Sequence, residues 1–167
     1  MGGEHYAARK IVVEGGSIYN LIGGPLTNSS RQNYNDTYIY MTGGEVSMIT
    51  SGAGQTATYG NRIVQITGGK VLYSVFGGSN GYNANEGDGK LNGSSYLYIG
   101  GVAEIGDEAL VSNNDTLFGA ESGSVFGIGN GKQGSSTIGS NDNSYIIIND
   151  KCHIRGSVYG GGNYGAT

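Results

Sequence analysis

Asp107, Glu108 and Glu121, with Arg155 further along, are the side chains of this 167-residue sequence that could supply catalytic carboxylates and a basic partner. Paired carboxylates supply a general acid with a base or nucleophile, and a bound cation beside a basic residue offers another route. Nothing in the spacing of these four brings them together, so solvated loop charges are the default reading. His5 and His153 stand apart from each other, and neither a Gly-x-Ser-x-Gly elbow nor a His-Glu-x-x-His pattern occurs. The expectation is a protein that is not an enzyme.

Three oxygen-rich clusters have the ligand type a hard cation such as Ca²⁺ requires: Glu86-Gly87-Asp88-Gly89, Asn113-Asn114-Asp115 and Asn141-Asp142-Asn143. None has EF-hand spacing, no nonapeptide calcium repeat is present, and turn formation by Asn and Asp accounts for all three. Gly127-Ile128-Gly129-Asn130-Gly131 and Gly160-Gly161-Gly162 resemble phosphate loops only superficially, because no Gly-Lys-Ser/Thr follows and no helix is expected after either. They read as corner glycines. Asn28-Ser29-Ser30, Asn35-Asp36-Thr37, Asn92-Gly93-Ser94 and Asn114-Asp115-Thr116 match glycosylation acceptors, but Asn- and Ser-rich loops generate such triplets by chance. Cys152 is the single cysteine, which excludes an intrachain disulfide and a cysteine zinc site. Neither a metal nor an organic cofactor is expected.

The charge pattern narrows the partners. Thirteen acidic and nine basic residues give a net charge of −4 with no basic patch, so nucleic acid is not an expected partner. No stretch reaches the length of a transmembrane helix, so membrane insertion is not expected either. Residues 1–5 lack a basic n-region and an apolar h-region, and an export signal, if there is one, is expected outside this chain. The 34 glycines are far above the ordinary share, yet collagen periodicity is absent and there is one proline among 13 tyrosines and many β-branched residues. Strands joined by tight turns fit that composition.

The elements that position these residues come from a repeat. A short alternating apolar segment followed by two glycines begins at Ile11-Val12-Val13-Glu14-Gly15-Gly16, Ile39-Tyr40-Met41-Thr42-Gly43-Gly44, Val64-Gln65-Ile66-Thr67-Gly68-Gly69 and Leu97-Tyr98-Ile99-Gly100-Gly101. A fifth copy, Ile146-Ile147-Ile148-Asn149-Asp150-Lys151, has Asp and Lys where the glycines would be. Equivalent positions Val13, Met41, Ile66, Ile99 and Ile148 lie 28, 25, 33 and 49 residues apart, a spacing natural for stacked coils with loop insertions. A second apolar position follows at Ile18, Val46, Val71, Ile105 and Ile154. A third segment follows in three copies: Ser74-Val75-Phe76-Gly77, Ser124-Val125-Phe126-Gly127 and Ser157-Val158-Tyr159-Gly160. Copy one offers Asn20-Leu21-Ile22-Gly23 there. This predicts an all-β fold, a parallel β-helix (β-solenoid) of about five degenerate coils, with three short strands per turn and glycines at two corners. Residues 1–10 are a lead-in and 11–167 a single solenoid domain. Segments 25–37, 54–61, 79–95 and 130–143 have loop chemistry, whereas 106–121 carries Ala109-Leu110-Val111 and Leu117-Phe118 and is expected to cover part of the core.

Strand parity then defines an outer surface. With Ile39 and Met41, Val64 and Ile66, Leu97 and Ile99, and Ile146 and Ile148 pointing inward, their neighbours Tyr38, Tyr40, Ile63, Gln65, Tyr96, Tyr98, Tyr145 and Ile147 point out. The five tyrosines, Tyr38, Tyr40, Tyr96, Tyr98 and Tyr145, are the candidate contact stripe for another subunit or a glycan. The plainer reading is a set of cross-strand ladders that stabilise neighbouring coils. Parity with Ile154 turns Cys152 inward as a small filler.

Gly-Gly-x-Val units ending in Ser-Val-Tyr-Gly-Gly-Gly resemble the Gly-rich repeat arrays of bacterial cell-surface and adhesin-type proteins with parallel β-helix folds, over roughly residues 9–165. The resemblance implies an extracellular, cell-surface structural or adhesive module whose partners are like subunits or adjacent repeats of the same protein. End-to-end self-assembly into a filament is the expected behaviour. The alternative is a carbohydrate-binding or polysaccharide-processing β-helix, in which glycans are the partners.

Overall fold

The computed structural model describes residues 7–26, 35–54, 58–81, 91–131 and 143–164. The first repeat forms β1 (Arg9–Val13) and β2 (Ser17–Ile22), and the second β3 (Thr37–Met41) and β4 (Glu45–Thr50). The third forms β5 (Thr58–Tyr59), β6 (Arg62–Ile66), β7 (Lys70–Val71) and β8 (Val75–Phe76). The fourth forms β9 (Leu91–Asn92), β10 (Ser95–Ile99), β11 (Glu104–Ile105), the short helix α1 (Glu108–Ser112), β12 (Thr116–Leu117), β13 (Ala120–Glu121) and β14 (Val125–Phe126). The fifth forms β15 (Ser144–Ile148), β16 (His153–Ile154) and β17 (Val158–Tyr159).

Two parallel sheets hold nearly all of these strands, and the fold is all-β. One has five strands in the order β1-β3-β6-β10-β15; the other has eight, in the order β16-β11-β7-β4-β8-β14-β17 with β2 beside β4. Each strand of the first sheet pairs with its counterpart one repeat away. Val13 therefore faces Met41, Met41 faces Ile66, Ile66 faces Ile99 and Ile99 faces Ile148. The second apolar positions also form one ladder, Ile18-Val46-Val71-Ile105-Ile154. Val13, Met41, Ile66 and Ile99 are buried in the main core with Val46, Val71 and Ile105.

Ile148 keeps the register and loses the burial: it is 47% exposed. Its strand is the last of the five, and among the described residues no strand pairs with its far side. The three-strand expectation also needs correction. The three strands are separate in the last three repeats, with the short strands β5, β9, β12 and β13 added in the third and fourth, but in the first two the second and third segments run together as β2 and β4. Spacing explains the difference. Two residues separate Val46 from Ile49, whereas three separate Val71 from Val75, although Val46 pairs with Val71 and Ile49 with Val75. The extra residue cannot be held in register, so the later strand breaks in two. The same pairing supplies the third segment of the second repeat, Ile49-Thr50, which lacks the Val-Phe signature.

Positive φ is required at the corner after the first sheet. Gly16, Gly44 and Gly69 all lie at φ 82° to 83°, in the left-handed region that glycine enters without a Cβ penalty. In the last repeat Asp150 takes this conformation at φ 60°, where its Oδ2 accepts the Gly101 N–H at 3.1 Å. A short polar side chain that bonds locally is the tolerated substitute.

The interior is not wholly apolar. Arg62 is completely buried and donates from Nη1 to the carbonyls of Asn35 (2.6 Å) and Asn61 (3.0 Å), and from Nη2 to that of Tyr59 (2.7 Å). Burial and the nearby Arg9 charge push its pKa down to about 10, against the opposing pull of Asp36. At neutral pH the guanidinium stays charged. It fastens the turns that enter β3 and β6. Arg62 has the parity of Val64, so alternation alone would have turned it inward.

Candidate functional site

The first sheet's outward positions form two columns along the stacking direction. Lys10, Tyr38, Ile63, Tyr96 and Tyr145 stand opposite one another in succession, and so do Val12, Tyr40, Gln65, Tyr98 and Ile147. All five candidate tyrosines therefore share one face. Tyr96 and Tyr145 are exposed, while Tyr38, Tyr40 and Tyr98 are half-buried.

The rings mostly contact one another. Tyr96 and Tyr145 stack with centroids 5.0 Å apart and planes 6° apart. Tyr38 and Tyr40 lie nearly parallel at 6.5 Å, and the Lys10 ammonium sits 5.3 Å from the Tyr40 ring centroid. The Tyr98 hydroxyl reaches Asp150 at 3.4 Å. Ile63 and Gln65 interrupt both columns. Beside them a furrow of about 90 Å³ is lined by Ile63, Gln65, Tyr96, Tyr98, Tyr145 and Ile147, with backbone-flanking Val64 and Leu97 at its floor. Rings stacked along a column turn edges and hydroxyls outward, so the covered faces are not offered to a sugar ring.

Two of the four candidate catalytic charges, Asp107 and Arg155, have structural partners. Asp107 is the N-cap of α1, accepting the Ala109 N–H at 3.0 Å, and pairs with the Lys70 ammonium at 2.5 Å. Its pKa is lowered, first by the Lys70 hydrogen bond and then by the Ala109 N–H. Arg155 faces Glu104 at 3.4 Å, and Glu108 and Glu121 are exposed. Among the described residues no three His, Cys, Asp or Glu side chains converge as a metal site.

Of the oxygen clusters, Asn113 caps the C-terminus of α1, and Asn114 has φ 55°. The Asp115 carbonyl accepts both the N–H and the hydroxyl of Ser122. Glu86–Gly89 and Asn141–Asp142 lie outside the described residues. Asn35 is buried, which removes that triplet as a glycan acceptor in the folded chain. Cys152 packs against the core edge, with its thiol 3.5 Å from the Ile99 carbonyl.

One arrangement escaped the sequence reading. Asn130 donates from Nδ2 to Asn80 Oδ1 at 3.0 Å, and Asn163 donates in the same way to Asn130 at 3.0 Å. The three asparagines also bridge as parallel neighbours, Asn80 to Asn130 to Asn163. The signal was present: each stands four residues after Phe76, Phe126 or Tyr159, so the corner-glycine runs end in an asparagine ladder. Above it the rings stack, Phe76 on Phe126 at 4.9 Å and Phe126 on Tyr159 at 4.8 Å.

No protein-family model, curated protein or solved structure matches this chain. No helix among the described residues is long and apolar enough to cross a membrane.

Proposed function

We propose that this chain is a parallel β-helix serving as a structural or adhesive repeat module of a bacterial extracellular surface protein, assembling end to end through its terminal rungs. One observation carries the reading. Nine of the eleven large apolar side chains exposed among the described residues belong to the first or last repeat: Val12, Tyr19 and Leu26 at one end, and Tyr145, Ile147, Ile148, Val158, Tyr159 and Tyr164 at the other. Apolar surface collected at two ends of a stack, beside unpaired strand edges, favours contact with a like rung. Asp107 is engaged in capping and ion pairing and Arg155 in an ion pair, which supports a structural role.

Sedimentation and electron microscopy of the purified chain test this. Polymers that lengthen with concentration are the expected result. A strictly monomeric species at high concentration would overturn it.

The furrow beside Tyr96 and Tyr98 favours a second reading, binding of an extended glycan along the outer face. A glycan-array signal lost in Tyr96→Ser and Tyr145→Ser would support this reading, and a blank array would reject it.

A further inference from the structure

We infer that the last rung receives the first rung of a second copy in the register that the internal repeats already use. This rests on the stacked reading above and adds a defined interface to it. The independent observation is glycine at two corners where no neighbour among the described residues crowds it.

At the first corner, a Cβ built on Gly43 would lie 2.5 Å from the Glu14 carbonyl oxygen, and one on Gly68 2.5 Å from that of Thr42. The preceding repeat occupies the space a side chain would need. Gly15 holds the same place in the first repeat, has no positive φ, and a Cβ there would meet nothing within 4 Å among the described residues. At the other corner the crowding comes from the following repeat. A Cβ on Gly127 would lie 2.5 Å from the Gly160 carbonyl oxygen, and Gly23 and Gly77 are crowded in the same way by Ser51 and Gly127. Gly160 holds this place in the last repeat, and a Cβ there would also meet nothing within 4 Å among the described residues. Ser51 is the exception among the five repeats.

Placing Val13 of a second copy opposite Ile148 brings the Asn149 carbonyl to Gly15 and the second copy's Gly23 carbonyl to Gly160. Both open spaces are used in one placement. The backbone ladders continue as well. Thr42, Thr67, Gly100 and Asn149 each donate to the preceding repeat at 2.8 to 3.0 Å, so the Glu14 N–H would reach the Ile148 carbonyl. Gly23, Ser51, Gly77 and Gly127 each donate to the following repeat at 2.8 to 3.0 Å, so the Gly160 N–H would reach the Ile22 carbonyl. Ile146 would cover Ile11, and Lys10 would meet the open Tyr145 ring much as it now meets Tyr40. Exposed Glu14 and Lys151, of opposite charge, come to the same corner. The contact is head to tail and propagates as an open filament.

Gly15→Val and Gly160→Val, each in the full chain, test the register. A Cβ at either position has no described atom of the same copy within 4 Å, so each variant is expected to melt with the parent while its polymers fall at least tenfold in yield. Mixed in equal amounts, the two are expected to form dimers and nothing longer, because each retains the face the other has lost. Polymers unchanged in both Val variants would overturn this register while leaving stacking intact. A parent chain that never polymerises would instead overturn stacking itself.

Discussion

Arg62 shows how one charged side chain is retained inside a small interior. Its two terminal nitrogens serve three carbonyls at separate turns, a task suited to a planar fork and not to a single ammonium. Arg62→Met should destabilise the chain by roughly 2–4 kcal/mol, because the buried carbonyls lose their donors. Arg62→Lys should rescue little of that loss, and urea unfolding measures both; a lysine variant as stable as the parent would refute the fork argument. Asp107 makes a pH-dependent contribution. Its pKa in the folded chain lies below the ordinary 3.8, held down first by Lys70. A depressed carboxylate adds stability above the unfolded-state value, and the gain is lost as pH falls through the folded-state value. Asp107→Asn should therefore melt below the parent at neutral pH and converge with it in strong acid. A gap that persists undiminished in acid would exclude the ion pair as its source.

At the scale of elements, the 106–121 insertion is fastened by its hairpin more than by its helix. α1 buries no residue, whereas Leu117 and Phe118 pack on the second core cluster of Met48, Phe76, Ala120 and Phe126. Phe118 and Gly119 link β12 to β13 with φ of 51° and 71°, a two-residue turn that normally selects Asn-Gly. Phenylalanine there exchanges backbone ease for apolar contact. Phe118→Ala should cost about 1–2 kcal/mol of packing, and Phe118→Asn about 0.5–1 kcal/mol less than Ala because Asn tolerates the left-handed region. Thermal melts of the pair decide it; Asn melting below Ala would reject the strain argument. The legible parts of the fold were those with a period. The inward ladders and the two tyrosine columns followed from alternation, and the cover supplied by 106–121 followed from its apolar pairs. Ile49-Thr50 was hidden because Thr50 stands where the last three repeats have an aromatic and the first has Ile22. The asparagine ladder was hidden because asparagine in a Gly-rich run reads as turn chemistry until its spacing from the aromatic is compared across repeats. The exposure of Ile148 depends on what lies beside the last strand, which alternation does not encode.

At the scale of the whole molecule, parallel pairing across entire repeats places the strongest protection away from the edges. Amides of β6 are held between β3 and β10, both of which are themselves paired on their far sides. Those of β15 have a partner on one side only among the described residues, and three of its five side chains are exposed. Because an edge strand can open without disturbing the rest, hydrogen exchange in dilute solution should be slowest in β3, β6 and β10 and fastest in β15 to β17. Proposed stacking adds a second half to the expectation. In concentrated samples the β15 amides should slow by an order of magnitude or more, while those of β6 change little, since their bonds are already internal. Equal protection of β6 and β15 in the monomer would mean that the last repeat is stabilised from within. Equal exchange of β15 at low and high concentration, alongside visible polymers, would move the contact to the tyrosine face, where Tyr96 and Tyr145 would become the residues to replace.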